Sequence, residues 1–383
     1  MSAMNKPTNV AGVHSRQALR ILFLRPELNR YGVTKSMMYL AQGLIGLGHV
    51  VTCTSESESD MAREWTSLGA THFSLPLKSA RRSLLSLLRI IAGLRRVVKR
   101  EGVQIIHSHH RWTTFVASLL KRVLRTPVVS TYHGIHQGKE ALSLWGERVI
   151  CVSEDARRHL VAHFGVEPAK TVVIFNGINP ASFRGLHAPL NSGSRSGNGK
   201  SPCLTNVAQL IAVKGQQTLL NAMPYILARH PQARLKLVGR GPMEAELRRM
   251  ASDLKIAAAV EFLGELADVR PVLAETDVFV MASVSEGMPM ALLEALAAGV
   301  PAVATAVGGI PQILRHRETG CLVPVGDADR LATEIDFVLT HPLEKARMQR
   351  QGCTLVEREF STEIMAGRTE SVYREVIHQW KGR

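Results

Sequence analysis

Two doubly wound α/β domains are what this sequence predicts, on three observations. Short β-branched runs alternate with helical patterns along the chain, the signature of parallel sheets with crossover helices. The length of 383 residues exceeds what one hydrophobic core usually serves. The low-complexity segment Gly193-Ser194-Arg195-Ser196-Gly197-Asn198-Gly199-Lys200-Ser201-Pro202 falls near the middle and reads as a flexible linker.

Residues 1–18 are polar, lack the apolar core of a signal peptide, and are expected to be disordered. The first domain, 19–184, takes its strands from Leu19–Leu24, His49–Thr54, Val103–His107, Pro127–His133, Arg148–Val152 and Thr171–Phe175. After a linker over 185–202, the second domain, 203–360, takes Cys203–Gln209, Arg234–Val238, Val260–Leu263, Val278–Met281, Pro301–Thr305 and Cys321–Val323. The end of the chain, 361–383, carries an amphipathic helix over Ser361–Trp380 with Ile364, Tyr373, Val376, Ile377 and Trp380 as its apolar points.

Composition narrows the class. Hydrophobic residues make up 45% of the chain, yet Glu294 and Pro301 interrupt the most apolar stretch before it reaches a membrane-spanning length. Five widely spaced cysteines, an odd number, point to buried thiols in a reduced, cytoplasmic protein rather than to disulfides or zinc. The net charge of +15 asks for a partner. Lys78, Arg81, Arg82, Arg89, Arg95, Arg96, Lys99 and Arg100 punctuate an apolar stripe from Leu84 to Val98, so this helix either lies on an anionic membrane surface or is a core helix with basic edges. Nucleic acid is disfavoured, because aromatic content is 5% and no reading motif appears.

The chemistry concentrates in Ser285-Glu286-Gly287-Met288-Pro289-Met290-Ala291-Leu292-Leu293-Glu294-Ala295-Leu296-Ala297-Ala298-Gly299-Val300-Pro301, where seven residues separate two glutamates around a helix start. Val278–Met281 reads as a buried strand with a loop leaving its carboxyl end. Pro289 suits the first helical turn, and Gly299 with Pro301 closes the helix. The N–H groups of Gly287, Met288 and Met290 are then candidates to face a phosphate. Glu286 beside them suits a sugar hydroxyl, and Glu294, if it faces the cleft, suits paired ribose hydroxyls. Lys214-Gly215, after the strand that begins at Cys203, can reach a diphosphate as a point charge.

Glu286-Gly287, Glu294-Ala295, Ala298-Gly299-Val300-Pro301-Ala302-Val303-Ala304-Thr305 and Gly308-Gly309 resemble the signature of the retaining glycosyltransferases of family 4. The likeness covers nearly the whole chain and is densest from about Asn206 to Pro324. It implies the GT-B fold, two Rossmann-like domains facing across a cleft, with the last helix crossing back to the first domain. It also implies a nucleotide sugar as substrate and neither cofactor nor catalytic metal.

The same resemblance assigns further residues. Lys214 would contact the donor diphosphate together with an arginine five positions earlier, but that place holds Gln209, which implies weakened or altered donor handling. Gly239 and Gly241, in Val238-Gly239-Arg240-Gly241-Pro242, would lie near the nucleotide, although an ordinary βα turn fits equally well. Tyr31-Gly32 stands where the family has a double glycine, so Gly32 would approach the donor and Tyr31 would reshape the acceptor side. His133, in Thr131-Tyr132-His133-Gly134, matches the family's cleft histidine. His107, His109 and His110 lack the carboxylates or cysteines of a metal site and read as acceptor-side residues, His109 first, or as polar loop.

The expected function is transfer of a hexose-type sugar to a hydroxyl of a membrane-associated or cell-envelope glycan, such as lipopolysaccharide, exopolysaccharide or glycolipid. His133, Glu286 and Lys214 would be the catalytic residues, and the mechanism front-face displacement with no protein nucleophile. The protein would work in the cytoplasm or on the inner face of its membrane. Two alternatives stand beside it: a sugar-nucleotide epimerase on the same fold, and a non-catalytic membrane-bound subunit.

Overall fold

A computed structural model describes residues 17–56, 60–78, 84–134, 144–186 and 201–382. Most of the N-terminal segment expected to be disordered, most of the expected linker, and Arg81 and Arg82 lie outside the described residues.

The first domain is built on β1 (Arg20–Leu24), β2 (Val50–Ser55), β3 (Thr71–Ser74), β4 (Ile105–Ser108), β5 (Val128–Tyr132), β6 (Arg148–Cys151) and β7 (Thr171–Val173), all parallel, in the order β3-β2-β1-β4-β5-β6-β7. Its helices are α1 (Gly32–Gly46), α2 (Asp60–Ser67), α3 (Leu84–Glu101), α4 (Arg111–Leu124) and α5 (Glu154–Phe164). The second domain has β8 (Cys203–Val207), β9 (Arg234–Val238), β10 (Val260–Gly264), β11 (Val278–Met281), β12 (Ala302–Thr305) and β13 (Cys321–Val323), parallel in the order β10-β9-β8-β11-β12-β13. With it run α6 (Gln216–Arg229), α7 (Glu244–Asp253), α8 (Arg270–Ala274), α9 (Met290–Ala297), α10 (Ile310–Ile313), α11 (Ala328–Thr340) and α12 (Pro342–Glu359). These are the two doubly wound sheets expected from the alternation, each with its strands' order reversing beside its first strand.

β3 was not anticipated. Its sequence, Thr-His-Phe-Ser, lies at the sheet's edge with both ends exposed, so it carries neither the apolar run of a central strand nor a strict alternation.

After α12 the chain returns to the first domain. Ile178 N–H donates to Phe360 O at 2.9 Å and Thr362 N–H to Ile178 O at 2.7 Å, a two-bond bridge between the outgoing and returning segments. Ser361 then caps α13 (Thr362–Lys381), accepting from Ile364 N–H. α13 buries Met365, Ala366, Tyr373 and Val376 in the cluster that holds Ile21, Met37, Leu40 and Leu44.

α3 resolves the alternative left by its sequence in part. Ile90, Leu94, Val97 and Val98 are buried against Leu22, Leu24, Ile106 and Val128, so much of the apolar stripe packs on the domain's own sheet. Arg89, Arg95, Arg96, Lys99 and Arg100 are exposed, as is Leu88. No helix among the described residues is long and apolar enough to cross a membrane. The cysteines are free, with Cys53, Cys151 and Cys321 buried.

Candidate active site

Ligands of open α/β sheets sit beyond the carboxyl ends of the strands where the strand order reverses. Here those points are β1/β4 and β8/β11, and they face one another. Between them lies a cleft of about 470 Å³. The first domain lines it with Arg30, Tyr31, Gly32, Lys35, His133 and Asn176, and the second with Gln209, Lys214, Gly239, Arg240, Glu265, Glu286, Gly287, Met288, Pro289 and Glu294.

Glu286 stands in the loop between β11 and α9 and is 7% exposed. Its Oε1 accepts from Lys214 Nζ at 2.6 Å and from Ser283 Oγ at 2.7 Å. No hydrogen bond to Oε2 is found among the described residues, which leaves that oxygen able to accept from a ligand hydroxyl. Lys214 ends a 3-10 turn and is followed by Gly215 at φ +64°, so the chain turns sharply into α6 while the ammonium points at Glu286. The lysine expected to reach a diphosphate as a point charge is also half of an ion pair.

Glu294 faces the cleft from α9 and is 2% exposed. Lys35 Nζ, from α1 of the other domain, lies 3.1 Å from Oε1 and 3.2 Å from Oε2. Tyr39, one turn along α1, faces the same carboxylate, and burial together with this carboxylate's charge pushes its phenol far up. Pro289 departs from its expected place: with ψ 118° it is the extended cap before Met290, not a residue of the first turn.

Close backbone approach fixes these loops. A Cβ on Gly287 would lie 1.9 Å from His133 O, and one on Gly308, at φ +55°, would lie 1.7 Å from Glu286 O. The His133, Glu286 and Gly308 loops therefore stack main chain on main chain, and any side chain at either glycine would drive Glu286 out of position.

His133 lines the cleft, but His109 does not: it is 4% exposed and stands behind His133, its Nδ1 3.1 Å from His133 Nε2. The physical reason is the packing of β4's end, where the His109 ring is held against Phe23 and His107. His107 in turn bonds Tyr373 Oη at 2.5 Å and Thr131 Oγ1 at 2.7 Å. Burial pushes His107 down to about 3 and holds His109 well below the usual histidine range, so both rings are neutral. Gly241 also misses the cleft, since a Cβ there would lie 2.2 Å from Leu210 O, behind the lining loop.

Lys35, Arg240, Glu265 and Tyr39 were not singled out by sequence reasoning. For Lys35 the available signal was its place one helical turn beyond the Tyr31-Gly32 loop, on the face that looks into the cleft.

Residues 31–182 match the family model described as Glycosyltransferase Family 4, and residues 191–353 the one described as Glycosyl transferases group 1. An uncharacterized glycosyltransferase of Methanocaldococcus jannaschii is 30% identical over 292 residues, 70% of this chain and 75% of that protein. The chain belongs to glycosyltransferase family 4. This family 4 glycosyltransferase is also 26% identical to the phosphatidylinositol N-acetylglucosaminyltransferase gpi3 subunit of Schizosaccharomyces pombe, over 91% of the chain and 78% of that protein. By structure it resembles Anabaena HepE, crystallised with UDP-glucose, at a TM-score of 0.79 and 19% identity over 93% of this chain and 100% of that one. That likeness shows the GT-B fold.

Proposed function

We propose that this glycosyltransferase moves a hexose-type sugar from a nucleotide sugar to a hydroxyl of a membrane-associated or cell-envelope glycan, with retention at the anomeric carbon. The observation that carries the reading is the pair of cleft carboxylates, Glu286 and Glu294, each held by a lysine at the facing strand ends.

In this reading Glu294 accepts from the ribose hydroxyls and Glu286 Oε2 from a sugar hydroxyl. Lys214 and the N–H groups of Gly287 and Met288 face the diphosphate. The bond from the anomeric carbon to the diphosphate oxygen breaks with its electron pair leaving on the diphosphate. The acceptor oxygen bonds to the same face, and its proton passes to the departing phosphate oxygen. Charge that appears on the diphosphate is met by a preorganised cation, which favours the transition state over the ground state. His133, steadied by neutral His109, lines the reacting face as a hydrogen-bond partner for a hydroxyl.

Gln209 supplies no charge to the diphosphate, but the next loop brings Arg240 into the same cleft, tied to it by Leu210 N–H donating to Arg240 O at 3.0 Å. Arg240 takes the diphosphate role that Gln209 cannot. Membrane association rests on the exposed basic face of α3, and a place on the inner face of the cytoplasmic membrane follows from a nucleotide-sugar substrate.

The test is a screen of labelled nucleotide sugars with and without membrane lipid extract, followed by NMR of the product's anomeric configuration. A product of inverted configuration, an epimerised donor, or the absence of donor binding across the common nucleotide sugars would overturn the proposal.

A further inference from the structure

The first domain holds a second cavity, of about 270 Å³, lined by Arg25, Glu27, Asn29, Lys78, His110 and Trp112 among others. One histidine separates it from the cleft. His109 donates its main-chain N–H to Leu24 O at 3.0 Å, precedes His110 of the cavity wall, and meets cleft-lining His133 with its ring. The loop that follows β1 joins the two spaces as well, with Arg25 and Asn29 at the cavity and Tyr31 at the cleft.

The cavity's lining holds two cations, Arg25 and Lys78, to one carboxylate, Glu27. Lys78 pairs with that carboxylate, its Nζ 3.1 Å from Glu27 Oε2, and donates its main-chain N–H to Glu56. Among the described residues the Arg25 guanidinium makes one hydrogen bond, from Nε to the main-chain oxygen of Glu27 at 2.8 Å, and has no carboxylate within ion-pair distance. Burial lowers its pKa to about 10, against the opposing charge of Glu27. A guanidinium so placed favours a planar or tetrahedral oxyanion that accepts from several of its N–H groups at once. Beside it, Trp112 is fixed by its Nε1 donating to Leu77 O at 3.1 Å and by stacking on Phe115. Its indole offers a flat apolar wall to the C–H face of a sugar or polyol. Asn29 spends its side-chain oxygen on Tyr31 N–H and Thr34 Oγ1, and its amide N–H groups make no bond among the described residues.

We propose that this cavity binds an anionic group of the acceptor, a phosphate ester in the first instance, with Arg25 as its ligand and Trp112 as the wall for the adjoining polyol. The acceptor thus spans from the Arg25 cavity past His133 to present its hydroxyl in the donor cleft. Only the assignment of the anion to the acceptor rests on the proposed transferase reaction; the anion site itself does not.

The test uses the full chain and inorganic phosphate as probe. Calorimetric titration is run on the parent, Arg25→Gln, Arg25→Lys and Lys214→Gln. A phosphate-binding event that is about ten- to a hundredfold weaker in Arg25→Gln is expected, the loss that follows removal of one charge-assisted partner. Arg25→Lys should recover part of it, and Lys214→Gln should keep it. Equal affinity of parent and Arg25→Gln for a panel of nucleoside diphosphates shows that the variant is folded. If none of those nucleotides binds the parent, the donor reading fails while the phosphate result still decides the site. Competition by glycerol 3-phosphate but not by phosphatidylcholine vesicles carrying phosphatidylglycerol identifies a soluble ester, and the converse a lipid headgroup. Competition by neither removes the acceptor assignment. Absence of any phosphate event in the parent, or one unmoved by Arg25→Gln, overturns the proposal.

Discussion

Lys35 of the first domain grips Glu294 of the second through both carboxylate oxygens, at 3.1 and 3.2 Å. Without the lysine, a carboxylate that is 2% exposed would remain without its ammonium partner. Lys35→Met should therefore destabilise the protein by on the order of 3 kcal/mol, and Lys35→Met with Glu294→Met should recover much of that loss. Urea denaturation of the two variants decides it. Equal stability of Lys35→Met and parent would mean that the pair contributes nothing across the cleft.

The donor assignment predicts that Glu294→Ala and Lys214→Ala each weaken nucleotide-sugar binding by about 1–3 kcal/mol, the scale for a charge-assisted hydrogen bond. Lys214→Ala carries a second expectation, because it also strips Glu286 of its ammonium partner. Its turnover should fall further than its affinity. Unchanged calorimetric affinity in both variants would remove the assignment.

Gln209 and Arg240 make opposite predictions. Gln209→Arg adds a cation beside the expected diphosphate and should raise donor affinity or turnover, whereas Arg240→Gln removes the cation already in the cleft and should lower donor affinity about tenfold. Arg240→Gln binding as tightly as the parent would return the missing charge to an open question. Loss of activity in a folded Gln209→Arg protein would give Gln209 a role of its own.

Three buried histidines, two in the stack behind His133 and His49 beside Glu370, set a pH dependence. His107, His109 and His49 are all held below the usual value of about 6.5, chiefly by burial. Below that pH the unfolded chain binds protons that the folded chain refuses. Their contribution to stability is complete above about pH 6.5 and is lost as pH falls from there toward 3, with a slope near 1.4 kcal/mol per pH unit for each ring that stays neutral. Denaturation midpoints at pH 7 and pH 5 measure it. A flat profile between them would show that the rings take up protons in the folded protein.

The basic face of α3 predicts salt-sensitive binding to anionic vesicles, each exposed arginine contributing about 1 kcal/mol near the surface. Arg95 and Arg96 are exposed while Leu94 and Val97 on either side of them are buried, so Arg95→Ser with Arg96→Ser changes the surface and not the core. Co-sedimentation should drop with donor binding intact; equal co-sedimentation at low salt would assign the charge to another purpose.

Most of the fold was legible because the central strands are short, largely apolar runs and the segments between them carry helical periodicity. Even so, Thr71–Ser74 escaped notice, since an exposed edge strand has no reason to be apolar. Glu286 and Glu294 could be singled out for the same reason that they stand out physically, as carboxylates in an apolar sequence. Their lysines differ. Lys214 announces itself beside a glycine at a strand's end, whereas the partnership of Lys35 with Glu294 joins residues 259 positions apart and exists only once both sheets have folded. His109 shows the converse limit: its residue type and position marked it for the cleft, and only the packing of Phe23 and His107 shows that it stands one layer behind.

The bridge at Ile178 and Ser361 ties together the two segments that join the domains. A pair of domains joined by one free segment can swing and twist in any direction. Two crossings, hydrogen-bonded to each other where they pass, act as a hinge with two pins: bending about the line between them is cheap, while twisting would shear the bonds. On this geometry the facing strand ends would part and meet again more readily than slide past one another. Each closure would then return Lys35 to the same carboxylate, and the alignment of sugar, diphosphate and acceptor would be restored without a separate search in every cycle.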